Sequence, residues 1–107
     1  VQTCALPILP DYLAVTVYRL IQEALTNIAK HAQASRAWVS LQLDASEQLQ
    51  LTVRDNGLGM RATGSVTQGF GMLGMQERVA SLKGRFDWQS IPGQGVHIAI
   101  VLPRVLA

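Results

Sequence analysis

The 107-residue sequence has few charged residues, one cysteine and no long apolar run. Charged residues make up 15% and hydrophobic residues 49%, which excludes a disordered chain. No apolar stretch approaches the roughly 18 residues that would indicate a membrane-spanning helix. The nine Lys and Arg residues are scattered from Arg19 to Arg104, so no basic cluster predicts nucleic-acid binding. We expect one domain with one core and no membrane contact.

The single cysteine, Cys4, lies in an N-terminal stretch of unusual sequence. One cysteine cannot form an intramolecular disulfide, which is compatible with a reducing compartment. Residues 1–8 read VQTCALPI, which resembles the translation of a sequencing-library adapter, although an ordinary short strand is the alternative. We therefore predict that residues 1–8 are not native and that residues 9–107 form an N-terminally truncated domain.

Apolar periodicity predicts two helices. Asp11 follows Pro10 and can cap a helix that runs to about Ala32. Residues at steps of three and four define its apolar stripe, namely Tyr18, Ile21, Leu25, Ile28 and Ala32. The second helix spans about Leu73 to Leu82 and is expected to end at Gly84. Its stripe comprises Met72, Met75, Val79 and Leu82.

Four stretches have the pattern of strands. Residues 36–43 and 49–55 alternate in polarity around the turn DASEQ, which predicts an antiparallel hairpin. Residues 85–90 and 96–103 flank a PGQG turn and predict two more strands. The order helix, two strands, loop, helix, two strands predicts an α+β fold, a two-layer α/β sandwich. Its sheet should be mixed or mainly antiparallel, with the helices on one face.

The first predicted helix carries polar residues along one side. Glu23, Asn27 and His31 are spaced by four residues, and Lys30 lies beside them. A solvated helix face would account for this pattern. The alternative is a site for a hydrated metal ion with adjacent phosphates, since Mg²⁺ takes oxygen ligands and usually keeps several waters. The side-chain carbonyl of Asn27 would then be its ligand.

Asp55 has the same parity as the apolar residues Leu49, Leu51 and Val53, so its carboxylate is predicted on the core face. A carboxylate there is costly unless it is paired or hydrogen-bonded, and the neighbouring Arg54 points the opposite way. Either the strand end exposes Asp55, or it accepts a hydrogen bond from the amino group of a bound base. The nearby glycines would let the backbone approach a flat ring.

Residues 69–74 read GFGMLG and match the G-x-G-x-x-G of dinucleotide-binding turns. In such turns the glycines directly follow a buried strand, whereas here the polar stretch RATGSVTQ precedes them. Glycines needed only for a tight loop are one alternative. Another is a mobile loop, hinged at Gly59, Gly64 and Gly69, that closes over phosphates bound at a helix N-terminus.

Three segments, in this order, resemble the motifs of the GHKL ATPase superfamily. QEALTNIAKHAQAS resembles its N box, DNGLGM its first glycine box and GFGMLGMQERV its second. The second glycine box is most similar to that of sensor histidine kinases that pair with LuxR/NarL-type response regulators. The closing SIPGQGVHIAIVLP resembles the end of the same domain, so the resemblance covers about Leu9 to Pro103.

The resemblance implies a Bergerat-fold domain that binds ATP and Mg²⁺. By position, Asn27 would ligate Mg²⁺, Lys30 and His31 would lie near the phosphates, and Asp55 would accept from the adenine amino group. Glu23 matches the N-box acid, which activates water in relatives such as DNA gyrase and MutL. Glu23 and Asn27 are thus the catalytic candidates. The remaining candidates are the base pocket of Gly57, Gly59 and Met60, and the lid end of Gly69, Phe70, Gly71, Met72, Leu73 and Gly74.

One position departs from the family pattern. The family commonly has Thr after the PGxG turn, where it helps to hold the adenine site, and this sequence has Val96. Either the missing hydroxyl weakens the adenine hydrogen-bond network, or water and Asp55 suffice to complete it.

The implied function is the ATP-binding domain of a two-component sensor histidine kinase, which presents Mg-ATP to a histidine on a dimerisation domain. Neither His31, in the N box, nor His97, on a strand, lies in a plausible acceptor segment, so this chain is not expected to phosphorylate itself. A LuxR/NarL-type regulator would be an indirect partner. The domain would lie in the cytoplasm, in a parent kinase that is soluble or anchored in the inner membrane. The alternatives are a degenerate, non-catalytic nucleotide-binding regulatory module and another GHKL ATPase.

Overall fold

The computed structural model describes residues 11–58 and 72–103, apart from the side chains of His31 and Ala32. Helix α1 (Asp11–Asn27) continues into a π-helical turn (Ile28–Ala32). The other elements are strands β1 (Ala37–Leu43) and β2 (Gln48–Asp55), helix α2 (Met72–Ser81), and strands β3 (Arg85–Ile91) and β4 (Gly95–Pro103). The predicted elements are thus confirmed in type and order. Residues 1–8, which the sequence predicts are not native, lie outside the described part of the chain.

The four described strands form one sheet in the order β1-β2-β4-β3, and each neighbouring pair is antiparallel. Leu51, in the middle of β2, pairs with Leu41 on one side and Ile100 on the other. All three side chains are buried, because residues in register on adjacent strands point to the same face. This face packs against both helices, which confirms the two-layer sandwich.

Helix α1 packs against the sheet with a different face from the one its spacing suggested. Its buried residues are Leu13, Val17, Leu20 and Ala24. Tyr18 is 65% exposed, and Ile21, Leu25 and Ile28 are only partly buried at the edge of the core. The predicted stripe was therefore wrong. The helix is apolar around much of its circumference, so spacing alone does not decide which of two overlapping stripes faces the sheet.

Helix α2 has the predicted stripe, with Met72, Met75 and Val79 buried. It ends where predicted, but the left-handed residue is Lys83 (φ 59°) and not Gly84. The N–H of Lys83 donates to Ala80 O at 2.9 Å and that of Gly84 donates to Val79 O at 3.0 Å, as in a Schellman motif. Gly84 allows the end of α2 to pack closely against β4, because a Cβ at this position would lie 2.5 Å from Val101 O.

Neither helix in the described ranges is long and apolar enough to cross a membrane.

Candidate nucleotide-binding site

The polar residues of α1 lie near the end of the helix. Glu23 and Lys30 are exposed, and Asn27, the last α-helical residue, is half-buried. The chain continues as the π-helical turn, whose C-cap residue is Gln33 with a left-handed φ of 50°. Because a π-helix bonds residue i to i+5, the α-helical spacing that aligned His31 with Asn27 does not extend through this turn. Single π-helical turns occur frequently at functional sites.

Asp55 lies on the core face of the sheet, as its parity predicted, and is 5% exposed. Its Oδ1 accepts a hydrogen bond from the N–H of Gly57 at 2.7 Å, and its Oδ2 accepts one from the N–H of Val96 at 3.4 Å. The buried carboxylate is therefore held by backbone donors, and among the residues that the structure describes it has no ion-pair partner. The adjacent Arg54 is exposed on the other face and stacks 4.4 Å above the ring of Trp38.

The PGQG turn holds the chain around Asp55. Gly95 has a φ of 98°, and a Cβ at this position would collide with the backbone carbonyl of Asp55. On the other side of the turn, the N–H of Gly93 donates to Leu58 O at 2.8 Å. The family resemblance linked the end of this turn to the adenine site, but sequence reasoning missed the contacts of Gly93 and Gly95 with the Asp55 segment. The two glycines were the available signal.

Val96 contributes to the site through its backbone. Its N–H donates to Asp55, and its side chain is partly buried against the core. Any residue other than proline would supply that N–H, so the geometry at Asp55 does not depend on a hydroxyl. Neither alternative for the missing Thr, a weaker adenine network or one completed by water and Asp55, is tested by this geometry.

Asn56 makes contacts that sequence reasoning also missed. Its Oδ1 accepts hydrogen bonds from the N–H groups of Ser35 (3.0 Å) and Arg36 (2.9 Å), and its Nδ2 donates to Ser35 Oγ (2.8 Å). These partners are 20 and 21 residues away in sequence. The segment that follows the π-helical turn is thereby held beside Asp55.

The predicted lid end is described only from Met72 onwards. Met72 is buried in the core, so contact with a phosphate would use its backbone, whereas Leu73 is 60% exposed and Gly74 is exposed. Gly57 is buried beside Asp55. The other predicted pocket and lid residues lie outside the described residues, namely Gly59, Met60, Gly69, Phe70 and Gly71, as does the side chain of His31.

The described residues hold no cluster of three or more His, Cys, Asp or Glu side chains that could bind a metal ion. Mg²⁺ usually keeps several waters and takes only one or two protein ligands beside substrate phosphates. The side-chain oxygen of Asn27 fits that limited requirement.

The sheet excludes a dinucleotide-binding interpretation of GFGMLG. That interpretation requires a mostly parallel sheet, whereas the four described strands are antiparallel.

Comparison with known proteins gives a consistent result. The family described as histidine kinase-, DNA gyrase B-, and HSP90-like ATPase matches residues 13–106. Sensor histidine kinase YxjM of Bacillus subtilis is 40% identical over 94 residues, which cover 88% of this chain and 22% of YxjM. The histidine-protein kinase/phosphatase DegS of Brevibacillus brevis is 36% identical over 94 residues, covering 88% of this chain and 24% of DegS.

Among solved structures, the histidine kinase domain of the blue-light activated kinase EL346 from Erythrobacter litoralis superimposes with a TM-score of 0.78 at 25% identity. The alignment covers 95% of this chain and 52% of that one. The chain thus spans about a quarter or less of the curated relatives described above. From its matched residues, its antiparallel α/β sandwich and these relatives, we conclude that it belongs to the histidine kinase-, DNA gyrase B-, and HSP90-like ATPase family, as a domain homologous to those of sensor histidine kinases.

Proposed function

We propose that this chain is the ATP-binding catalytic domain of a two-component sensor histidine kinase. In this proposal it presents Mg-ATP so that the γ-phosphoryl group can pass to a histidine on a separate dimerisation domain. The observation that carries the proposal is the buried carboxylate of Asp55, held by backbone N–H groups at the end of β2 in a member of an ATPase family.

Asp55 is the proposed adenine acceptor. An ionised carboxylate has about four lone-pair sites, and the N–H groups of Gly57 and Val96 occupy one on each oxygen. Among the described residues no further donor reaches this carboxylate, and its remaining acceptor capacity is proposed to serve the exocyclic amino group of adenine. Gly57, which is buried and has no side chain, allows the base to approach the strand end closely. Gly59 and Met60 are proposed to complete this pocket.

The end of α1 and the π-helical turn are the proposed phosphate side of the site. Asn27 would ligate Mg²⁺ through its side-chain oxygen, and Lys30 and His31 would lie near the phosphates. When bound there, Mg²⁺ would neutralise part of the negative charge of the phosphates. Glu23 lies one turn before Asn27, and we propose that it orients groups around the γ-phosphate. Gly69 to Gly74 would close against the phosphates as the end of a lid, with the first N–H groups of α2 as anion donors.

The proposed reaction forms a bond between phosphorus and an imidazole nitrogen of the acceptor histidine. The bond between the γ-phosphorus and the bridging oxygen breaks, and ADP leaves. The proton of the imidazole passes to a base that we expect on the dimerisation domain. A LuxR/NarL-type response regulator would receive the phosphoryl group afterwards, and the domain would act in the cytoplasm.

A titration tests the binding half of this proposal. We expect the chain to bind a fluorescent ATP analogue in the presence of Mg²⁺ and to lose most of its affinity when EDTA is added, because the metal links Asn27 to the phosphates. On incubation with labelled ATP, the chain alone should acquire no acid-labile phosphate. Affinity that is the same with and without EDTA would contradict the role of Asn27, and absence of ATP binding would overturn the proposed function.

A further inference from the structure

Asn56 lies between Asp55 and Gly57, and its exposed side chain holds a distant segment of the chain. The side-chain oxygen accepts from two consecutive backbone N–H groups, and the side-chain nitrogen donates to a hydroxyl. In addition, the backbone N–H of Asn56 donates to Arg36 O at 3.3 Å. Both ends of the amide are therefore used, and all four hydrogen bonds go to Ser35 and Arg36.

These hydrogen bonds join the two halves of the proposed site. Regular pairing of β1 with β2 ends at Ala37 and Asp55, so Asn56 extends the connection beyond the ladder. Ser35 lies two residues after Gln33, the C-cap residue of the π-helical turn, and Arg36 follows it. The connection therefore runs from the carboxylate proposed to bind adenine to the segment that leaves the proposed phosphate side.

Asp44 provides a comparison within the same hairpin. It lies at the opposite end, where its carboxylate accepts from the N–H groups of Ser46 (2.8 Å) and Gln48 (2.9 Å) and from Gln50 Nε2 (3.0 Å). Its partners are two to six residues away, so it stabilises only a local turn. The hydrogen bond from the N–H of Gln48 is the main reason that the pKa of Asp44 is below its usual value, so the carboxylate is ionised at neutral pH.

We propose that Asn56 is a positioning residue that holds the adenine side and the phosphate side of the site in fixed register. A ligand that binds two subsites at once gains most when the subsites are already at the correct separation. Loss of the Asn56 side chain leaves Asp55 with its own donors, Gly57 and Val96, so recognition of the base persists. The contribution of the phosphates then falls, because Ser35 and Arg36 keep only the backbone hydrogen bond from the N–H of Asn56 to Arg36 O. This inference rests on the proposed function.

The test compares Asn56→Ala with Asp44→Ala in the full 107-residue chain, because each substitution removes three side-chain hydrogen bonds from an end of the hairpin. Mg-ATP and adenosine affinities are measured by competition with a fluorescent ATP analogue at neutral pH. Thermal unfolding of each variant gives the folded fraction. For Asn56→Ala, we expect a roughly five- to tenfold loss of Mg-ATP affinity, the equivalent of about one net hydrogen bond, with adenosine affinity nearly unchanged. Asp44→Ala should keep the wild-type affinity for both ligands.

Amide hydrogen exchange adds a measurement that does not depend on nucleotide. The N–H groups of Ser35 and Arg36 should lose protection in Asn56→Ala and keep it in Asp44→Ala. An unchanged ratio of ATP to adenosine affinity in Asn56→Ala would overturn the positioning role of Asn56 but not the proposed ATP binding. An equal loss of Mg-ATP affinity in Asn56→Ala and Asp44→Ala would have the same meaning. Should Asn56→Ala fail to fold, Ser35→Ala, which removes one of the bonds, should lower the same ratio by about twofold, and an unchanged ratio would contradict the inference. A wild-type chain without ATP affinity would overturn the proposed function as well.

Discussion

At the scale of single residues, Asp55 shows how a buried charge is accommodated. Its carboxylate lies on the same face as Leu51 and Val53, yet it is stabilised by two backbone N–H groups. A strand end next to a glycine-rich turn supplies such donors, because its N–H groups are no longer used by the sheet. The same arrangement leaves the carboxylate with lone pairs for a ligand, which is the basis of its proposed role.

Asp55→Asn is expected to weaken ATP binding and to relax base selectivity. Asn presents one oxygen in place of two and turns an N–H₂ group toward either a backbone N–H or the adenine amino group. Loss of a hydrogen bond to a charged group costs about 1.5–3 kcal/mol, so ATP affinity should fall roughly ten- to a hundredfold. GTP has a carbonyl where ATP has the amino group, so discrimination against GTP should diminish.

The measurement is ATP and GTP affinity, corrected for the folded fraction from thermal unfolding. Some loss of stability is expected in Asp55→Asn, because one of the two backbone donors loses its acceptor. An unchanged ATP/GTP preference in the folded fraction would show that Asp55 has only a structural role.

At the scale of elements, the PGQG turn between β3 and β4 supports the end of β2. It does so through the contact of Gly95 with the Asp55 carbonyl and through the hydrogen bond from Gly93 to Leu58. Both glycines have positive φ, 80° at Gly93 and 98° at Gly95, but only Gly95 lies against another segment, since a Cβ at Gly93 would meet no described atom within 4 Å. The turn therefore combines a conformational requirement at both positions with a close approach at one.

Gly95→Ala and Gly93→Ala form a matched pair that separates these two requirements. Both substitutions place a side chain at positive φ, which costs about 1–2 kcal/mol of unfolding free energy. Gly95→Ala should be more destabilising, because its Cβ also displaces the Asp55 backbone, and it should lower ATP affinity in the folded fraction. Gly93→Ala should leave that affinity unchanged. Equal unfolding free energies and equal affinities in urea titrations and binding assays would contradict the supporting role of Gly95.

At the scale of the whole molecule, local patterns predicted the elements better than the contacts between them. Two-residue periodicity correctly placed Asp55 on the core face, because parity in a strand follows from the backbone alone. The prediction of the buried face of α1 was wrong, because that face depends on which of two apolar stripes meets the sheet. The contacts of Asn56 and Gly95 depend on partners some 20 or 40 residues away. The glycines of the PGQG turn indicate a tight turn or a close approach, but the sequence does not say which segment lies against them, and it gives no signal for the partners of Asn56.

The central claim is that this chain provides ATP for phosphorylation of a histidine on another domain. The most direct measurement mixes the chain with γ-labelled ATP, Mg²⁺ and the dimerisation domain of a homologous sensor histidine kinase. We expect acid-labile label on the acceptor histidine of that domain, no label when that histidine is replaced, and much less label with Asp55→Asn. ATP binding without any transfer, both in this mixture and when the two domains are joined in one chain, would contradict the claim and indicate a non-catalytic nucleotide-binding module.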